Sequence, residues 1–203
     1  MAREFLRTML TPSVRAAQAR YYDKQYPNLG AESDPDALGP EEIAFLRERD
    51  SFYMATVTEN GWPYVQHRGG STGFLVAISA RELLFADYGG NRQLISVGNL
   101  QHRARVCLFV IDYPGRTRLK IIGEAQVLDA QAHPELAAAA APPGGHAAAV
   151  ERIVRITVRG FDWNCPKFIT PRWSRAEVEA ATRPLHDRIA ALEAELHARA
   201  AGS

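Results

Sequence analysis

The sequence has few cysteines and lacks both long apolar runs and an excess of charge of either sign. Its two cysteines, Cys107 and Cys165, stand far apart, with neither a CxxC pair nor Cys/His ligand spacing around them, so the sequence indicates no metal site and no disulfide framework. No stretch approaches the roughly 18 apolar residues of a membrane span, and charges interrupt the opening M-A-R-E-F-L-R-T-M-L where a signal peptide would need an apolar segment. We therefore expect a soluble, cytoplasmic protein with no membrane partner.

The charge balance excludes a second class of partner. With 24 Lys and Arg against 23 Asp and Glu, the net charge is +1, and the basic residues are spread along the chain. Such a chain has no electrostatic footprint for nucleic acid or an anionic membrane. Because 203 residues, 46% of them hydrophobic, suffice for one globular domain with a substantial core, we expect a small-molecule partner.

Helical patterns dominate the first fifty residues. Pro12 to Tyr26 contains good helix formers and predicts a helix that lies on the main domain. Val14, Ala17 and Tyr21 share one side of this helix, the side expected to contact the domain. Pro40 to Asp50 predicts a short second helix, with acidic residues in its first turn. We therefore assign residues 1–50 to an N-terminal helical extension packed on the main domain.

From Ser51 the pattern changes to short runs of branched and aromatic residues separated by turns. Asn60 and Gly61 follow the first run and are a hairpin signal. The runs are S-F-Y-M-A-T-V-T, Y-V-Q-H-R, G-F-L-V-A-I-S, E-L-L-F-A-D, A-R-V-C-L-F-V-I-D, T-R-L-K-I-I-G-E-A-Q-V-L-D and E-R-I-V-R-I-T-V-R-G-F-D. Six or seven strands in successive hairpins predict a mainly β fold, an antiparallel barrel or sandwich rather than a Rossmann sheet.

Two further helical segments are predicted. An alanine-rich stretch before the last strand, broken by P-P-G-G, predicts a short helix and a flexible connection. The capping-box match of Ser174 and Glu177 begins a C-terminal helix in residues 173–203, which Pro184 is expected to interrupt. The apolar stripe of this helix consists of Leu185, Ile189, Leu192 and Leu196. It suits pairing with another chain, but packing on the parent domain is the preferred interpretation for so short a helix.

A glycine pair joins the fourth run to a helical segment in F-A-D-Y-G-G-N-R-Q-L-I-S-V-G-N-L, residues 85–100. The pair, Gly89 and Gly90, permits backbone conformations closed to other residues, and Asn91 can cap the helix that follows. Arg92 offers a planar fork of donors, and an arginine beside a helix N-terminus can bind phosphate. Ser96 can help, although such a serine more often bonds the backbone. The alternative is a capped helix with a surface arginine, since neither Walker A nor GxGxxG spacing is present.

Two strands carry further cations. In P-Y-V-Q-H-R-G-G, Gln66 and Arg68 lie on one face of a strand and His67 on the other. In R-T-R-L-K-I-I-G, Arg118 and Lys120 share a face. A solvated strand face explains either pattern by itself. Together with the arginine of the glycine joint, they predict cations from three elements converging near one anion.

Three segments and their order resemble the pyridoxamine 5'-phosphate oxidase-like family of FMN-binding split β-barrels, over roughly residues 51–172. The segments are P-Y-V-Q-H-R, F-A-D-Y-G-G-N-R-Q-L-I-S-V-G-N-L and D-Y-P-G-R-T-R-L-K-I-I-G-E-A-Q-V-L. The resemblance implies a six- to seven-stranded antiparallel split β-barrel in a homodimer, with the FMN phosphate held by Asn91, Arg92 and Gln93. It also assigns to the cofactor Gln66, His67, Arg68, Asp87 and Tyr88. Arg118 and Lys120 fall on a strand that approaches the isoalloxazine ring, commonly across the dimer interface.

Two departures from the family pattern limit what is carried over. Gln93 stands in place of a lysine, which leaves Arg68 or Arg92 to supply the charge. The vitamin B6 oxidases end in an Arg-x-His-Asp-Arg-like stretch, and this chain has F-D-W-N-C-P-K-F-I-T-P-R, residues 161–172, in its place. The chain therefore looks like a separate branch of the family. We expect Trp163 and Asn164 of this segment to contact the flavin, the alternative being a structural corner with the indole in the core.

The cysteines and the function complete the expectations. Cys107 is expected in the core, and Cys165 is expected to be a small buried residue rather than a redox thiol. Because FMN itself carries hydride chemistry, no protein acid or nucleophile is required. The leading hypothesis is an FMN-dependent oxidoreductase that transfers hydride between FMN and a small substrate or NAD(P)H at a dimer cleft. The alternative is an FMN carrier or redox sensor without turnover. A third hypothesis replaces FMN with deazaflavin or haem, which relatives of the fold bind.

Overall fold

The computed structural model describes residues 3–22, 29–30, 34–90, 92–141, 150–163 and 166–201. These residues form seven strands and six helices. The strands are β1 (Ser51–Val57), β2 (Pro63–Gly69), β3 (Val76–Ser79), β4 (Glu82–Tyr88), β5 (Arg105–Asp112), β6 (Thr117–Asp129) and β7 (Val150–Trp163). The helices are α1 (Arg3–Met9), α2 (Pro12–Tyr22), α3 (Pro40–Arg47), α4 (Ile95–His102), α5 (Pro134–Ala140) and α6 (Arg175–Ala201). None of these helices is long and apolar enough to span a membrane.

All seven strands belong to one antiparallel sheet, in the order β2-β1-β5-β6-β7-β4-β3. The pairs β1/β2, β3/β4 and β5/β6 are the hairpins that the turn residues predict. Three strands separate β1 from β4 in this order, yet the ring centroids of Phe52 on β1 and Phe85 on β4 lie 5.4 Å apart. The sheet therefore curls until its two ends approach each other. The predicted mainly β, antiparallel split-barrel fold is confirmed.

The main core lies inside the curled sheet because the strands bury alternate side chains. On β1 and β5 the inward residues Phe52, Met54, Leu108 and Val110 are almost completely buried. β4 is buried on both faces, since α5 covers its outer side with Ala137 and Ala140. The end of β4 is thereby held firmly, and the candidate site is built there. The connection predicted after α5 lies outside the described residues.

The first helix is fixed to the barrel. The Glu4 side chain of α1 is completely buried, and Arg159 of β7 donates to it from Nε at 3.1 Å. The carboxylate of Asp36 accepts a hydrogen bond from the Phe5 amide at 3.2 Å. A Cβ on Gly160 would lie 2.6 Å from the Phe5 nitrogen, so this close approach requires glycine. By contrast, no residue of α2 is buried, so the prediction that this helix lies on the domain is wrong.

The chain divides into two compact units, one with α1 to β7 and the other with Tyr113–Arg116 and α6. Ser174 and Glu177 form the predicted capping box, each side chain bonding the backbone amide of the other. Pro184 lies inside one continuous helix, so the predicted interruption is wrong. No residue of α6 is buried. The packing of its apolar stripe on the parent domain stays a prediction.

Candidate functional site

A cavity of about 440 Å³ lies at the split of the barrel, bounded by β2, the end of β4, the start of α4 and the start of β7. Its size falls within the range of small-molecule sites. Among the described residues, the predicted site residues that line it are Gln66, Arg68, Asp87, Tyr88, Arg92, Gln93 and Ser96. The others are Tyr64, Gly90, Leu94, Ile95, Val97, Glu151 and Arg152. Two of the three segments that the sequence linked to one anion, β2 and the joint before α4, thus meet at one place, together with the start of β7.

The pairing of β2 with β1 explains why its polar side chains face the cavity. Arg68 pairs with Phe52 and Gln66 with Met54. Residues paired across a ladder point to the same face, and both β1 residues belong to the core. Gln66 and Arg68 therefore point inward at the edge of the barrel, and His67 points outward, as the alternation predicted.

Asp87 joins the walls of the cavity. Arg68 of β2 donates from Nη1 to Asp87 Oδ1 at 2.8 Å, and Arg152 of β7 donates from Nε to Asp87 Oδ2 at 2.8 Å. β2 and β4 are not neighbours in the sheet, so the first of these bonds spans the split of the barrel. The second follows from strand pairing, because Asp87 and Arg152 are partners in the β4/β7 register. One buried carboxylate thus orients two guanidinium groups.

The turn before α4 differs from the prediction in its backbone. Neither Gly89 nor Gly90 has a positive φ; the left-handed conformations fall on Arg92, at 60°, and Leu94, at 51°. Leu94 is the N-cap of α4, and Asn91, the predicted cap, lies outside the described residues. Left-handed non-glycine residues are costly and gather at functional sites. The sequence predicted a start for this helix that lies earlier in the chain, because an Asn after a Gly pair is a common cap signal.

Two side-chain hydrogen bonds hold α4 against the barrel. The Ser96 hydroxyl donates to Gln66 Oε1 at 2.7 Å, and the Asn99 amide donates to Thr56 Oγ1 at 2.8 Å. Ser96 therefore bonds a neighbouring strand rather than its own backbone. Leu94, the N-cap residue of α4, makes no side-chain cap hydrogen bond. The first turn of α4, whose amides have no acceptor within the helix, therefore lines the cavity on a fixed support.

The lining carries a net positive charge of one, since Arg68, Arg92 and Arg152 outnumber Asp87 and Glu151. Within the part of the chain that the structure describes, Arg92 is exposed and has no acidic partner. Arg68 Nε is buried there without a hydrogen-bond partner. Burial opposes the charge of Arg152, but the hydrogen bond and charge of Asp87, and then Glu151, outweigh it and raise the pKa of that guanidinium. These donors fit an anionic oxygen group such as a phosphate.

Several predicted site residues lie elsewhere in the chain. Leu119 and Ile121 belong to the core, so Arg118 and Lys120, which alternate with them, face outward. Lys120 Nζ lies 3.1 Å from Asp162 Oδ2. Within one chain these cations do not join the arginines of the cavity, so the predicted three-way convergence is wrong for a single chain. Their assignment across a dimer interface stays a prediction.

His67 and the 161–172 segment also stand apart from the cavity. His67 is exposed and meets the Tyr53 ring edge-on at 5.6 Å. Trp163 donates from Nε1 to Glu42 Oε1 at 2.7 Å and packs against Phe45. This placement agrees with the structural-corner alternative. Asn164 and Cys165 lie outside the described residues.

The remaining chemistry of the described residues is sparse. No group of three or more His, Cys, Asp or Glu side chains among them could hold a metal ion. Cys107 is half-buried on β5 rather than fully in the core. Burial raises the pKa of its thiol, while the charge of Lys120 acts in the opposite direction. Cys107 is therefore a poor nucleophile at neutral pH.

Comparison with known families assigns the chain. A family model described as pyridoxamine 5'-phosphate oxidase matches residues 38–162, well over half of the sequence. The chain belongs to the pyridoxamine 5'-phosphate oxidase family. The match includes every residue that lines the cavity, from Tyr64 to Arg152. Membership in the pyridoxamine 5'-phosphate oxidase family supports a flavin-binding fold.

Similar solved structures include three bacterial proteins. One, from Clostridium acetobutylicum, is related to general stress protein 26 of B. subtilis (14% identity, 61% of this chain, 85% of that chain, TM-score 0.47). The others are HupZ of Group A Streptococcus (11%, 67% and 100%, 0.48) and an FMN-binding protein from Syntrophomonas wolfei (11%, 62% and 87%, 0.44). No curated protein sequence matches this chain. At these low TM-scores, assignment to the pyridoxamine 5'-phosphate oxidase family rests on the family model alone.

Proposed function

We propose that this protein binds FMN in the cavity at the barrel split and acts as an oxidoreductase that transfers hydride between FMN and a small substrate or NAD(P)H. The observation that carries the proposal is the set of hydrogen-bond donors in the lining of the cavity. The cavity is lined by the first turn of α4, by Arg92, which has no acidic partner among the described residues, and by Arg68, whose Nε is buried. The lining has a net positive charge. This set suits a terminal phosphate, which FMN has.

The residues of the chain would divide the work of holding FMN. Arg92, Gln93 and the first amides of α4 hold the phosphate. Arg152 lies on the same cavity and supplies a charge that the lysine-to-glutamine departure at Gln93 removes. Asp87 keeps Arg68 and Arg152 in place through its two 2.8 Å hydrogen bonds. When bound, FMN supplies the hydride chemistry, and the protein orients it and limits access of water.

A homodimer would complete the site. Arg118 and Lys120 face outward on β6, and the family resemblance places such residues against the flavin of a partner subunit. Three large apolar side chains of β1, β2 and the turn between them are exposed in the single chain, which supports a surface that the partner subunit would cover. Tyr53 is 38% exposed, Val65 59% and Trp62 70%. NAD(P)H would dock transiently, since no GxGxxG fingerprint follows any strand run. The different 161–172 segment favours a substrate other than a vitamin B6 phosphate.

The visible absorption spectrum of the purified protein tests this proposal. It should be recorded as isolated and after FMN addition and dialysis, then during NADH and NADPH addition under argon. Retained flavin that bleaches with one nucleotide supports the oxidoreductase and identifies its donor. Retained flavin that no donor bleaches contradicts turnover with these donors and favours the carrier or sensor. Failure to retain FMN overturns the cofactor assignment and returns deazaflavin and haem to consideration.

A further inference from the structure

The C-terminal helix α6 carries a seam of exposed apolar side chains. It runs for 27 residues, and none of them is buried. The large seam side chains are Val178 (49% exposed), Leu185 (64%), Ile189 (52%), Leu192 (41%) and Leu196 (65%). A polar surface helix would not repeat large apolar residues on one side. The seam therefore indicates a contact with another molecule.

The spacing of the seam is that of a two-stranded coiled coil. From Val178 to Leu196 the intervals alternate four and three residues, with Thr182 completing the series. This is the heptad repeat, with Val178, Leu185 and Leu192 at d positions and Thr182, Ile189 and Leu196 at a positions. Among parallel coiled coils, a β-branched residue at a with leucine at d favours two strands, as in the central layers of Leu185, Ile189 and Leu192. We infer that α6 pairs with α6 of a second copy of this chain in a parallel coiled coil.

The charges beside the seam select this occupant and this direction. Arg188 occupies a g position and Glu193 the e position of the following heptad. In a parallel pair these two residues face each other across the seam, once on each side, and attract. An antiparallel pair that aligns the same seam would place Arg188 opposite Arg188 and Glu179 opposite Glu193. Like charges at those positions oppose the antiparallel arrangement.

Pro184 is compatible with this pairing. It lies at a c position, outside the seam. Its ring removes one backbone hydrogen bond and crowds the preceding turn on its own side. The helix is therefore expected to bend away from the proline, a direction that leaves the seam free to wrap around a partner. The inference is independent of flavin binding, because it uses α6 alone.

Disulfide cross-linking in the full-length protein tests the pairing. In a Cys107→Ser, Cys165→Ser background, Leu192→Cys places one thiol at a d position of each helix, and the matched control Ala194→Cys places it on the outer side. Parallel helices bring the two residues 192 together, so mild oxidation should give at least roughly tenfold more disulfide-linked dimer for Leu192→Cys than for the control. Equal linking by the two variants, or none by either, would overturn the inference.

Charge reversal tests the direction independently. In the Leu192→Cys protein, Arg188→Glu or Glu193→Arg alone places like charges across the seam and should slow dimer linking several-fold. The double reversal restores opposite charges and should restore the rate. A double variant that links as slowly as either single variant would show that these residues do not face each other, and would overturn the parallel arrangement. Far-UV circular dichroism of each variant checks that the helix persists.

Discussion

Asp87→Asn removes the carboxylate that bridges two arginines at the barrel split. Each lost bond is charge-assisted, and such bonds contribute about 1.5 to 3 kcal/mol. The side chains of Arg68 and Arg152 are 15% and 22% exposed, so solvent replaces only a small part of each bond. The asparagine oxygen still accepts one bond, but its NH₂ group faces the other guanidinium. We therefore expect the free energy of unfolding to fall by about 2 to 4 kcal/mol.

Glu82→Gln is the matched control, since it removes a carboxylate from the same strand. Glu82 pairs with Arg155 of β7, whose side chain is 41% exposed. A pair so exposed contributes at most about 1 kcal/mol. Urea unfolding of both variants, followed by circular dichroism and tryptophan fluorescence, measures the difference. If Asp87→Asn lost no more stability than Glu82→Gln, the two-arginine bridge would not be what holds β2 to β4.

Two further predictions concern ligand affinity and thiol chemistry. Arg92→Ala should weaken FMN binding by about 1.5 to 3 kcal/mol, because it removes charged hydrogen bonds to phosphate. The exposed Arg103→Ala serves as control in titration calorimetry, and equal affinities of the two variants would place the phosphate elsewhere. In a Cys165→Ser background, alkylation of Cys107 should be slower than that of glutathione at pH 8 and should still increase above pH 9, because its raised pKa delays thiolate formation. A rate that levels off below pH 8 would contradict this.

The strands were predictable because their signals are local. Alternating burial along β1, β2 and β5 follows directly from residue types, and Asn60 with Gly61 marks the first turn. The same alternation predicted that Gln66 and Arg68 share a face of β2, whereas Asp87 and Tyr88 at the end of β4 were named from the family resemblance. Arg152 was not predictable, because its role depends on the β4/β7 register, a pairing between segments 65 residues apart. The regular alternation around Arg152 indicated only a strand with one wet face.

The errors arise where tertiary context overrides local preference. Proline usually ends a helix, yet α6 continues through Pro184, which good helix formers flank on both sides. Gly89 and Gly90 were expected to take the left-handed conformations that Arg92 and Leu94 adopt. The hydrogen bonds of Ser96 and Asn99 to neighbouring strands hold α4 against the barrel, and no local pattern encodes such contacts.

Comparison of FMN with riboflavin tests the central claim most directly. The two ligands share the isoalloxazine ring and ribityl chain and differ in the terminal phosphate, which the cavity at the start of α4 is proposed to hold. Titration calorimetry should show FMN binding at least roughly a hundredfold tighter than riboflavin, equivalent to about 2.7 kcal/mol. The preference should shrink in Arg92→Ala. Equal affinities of the unaltered protein for FMN and riboflavin would contradict the account.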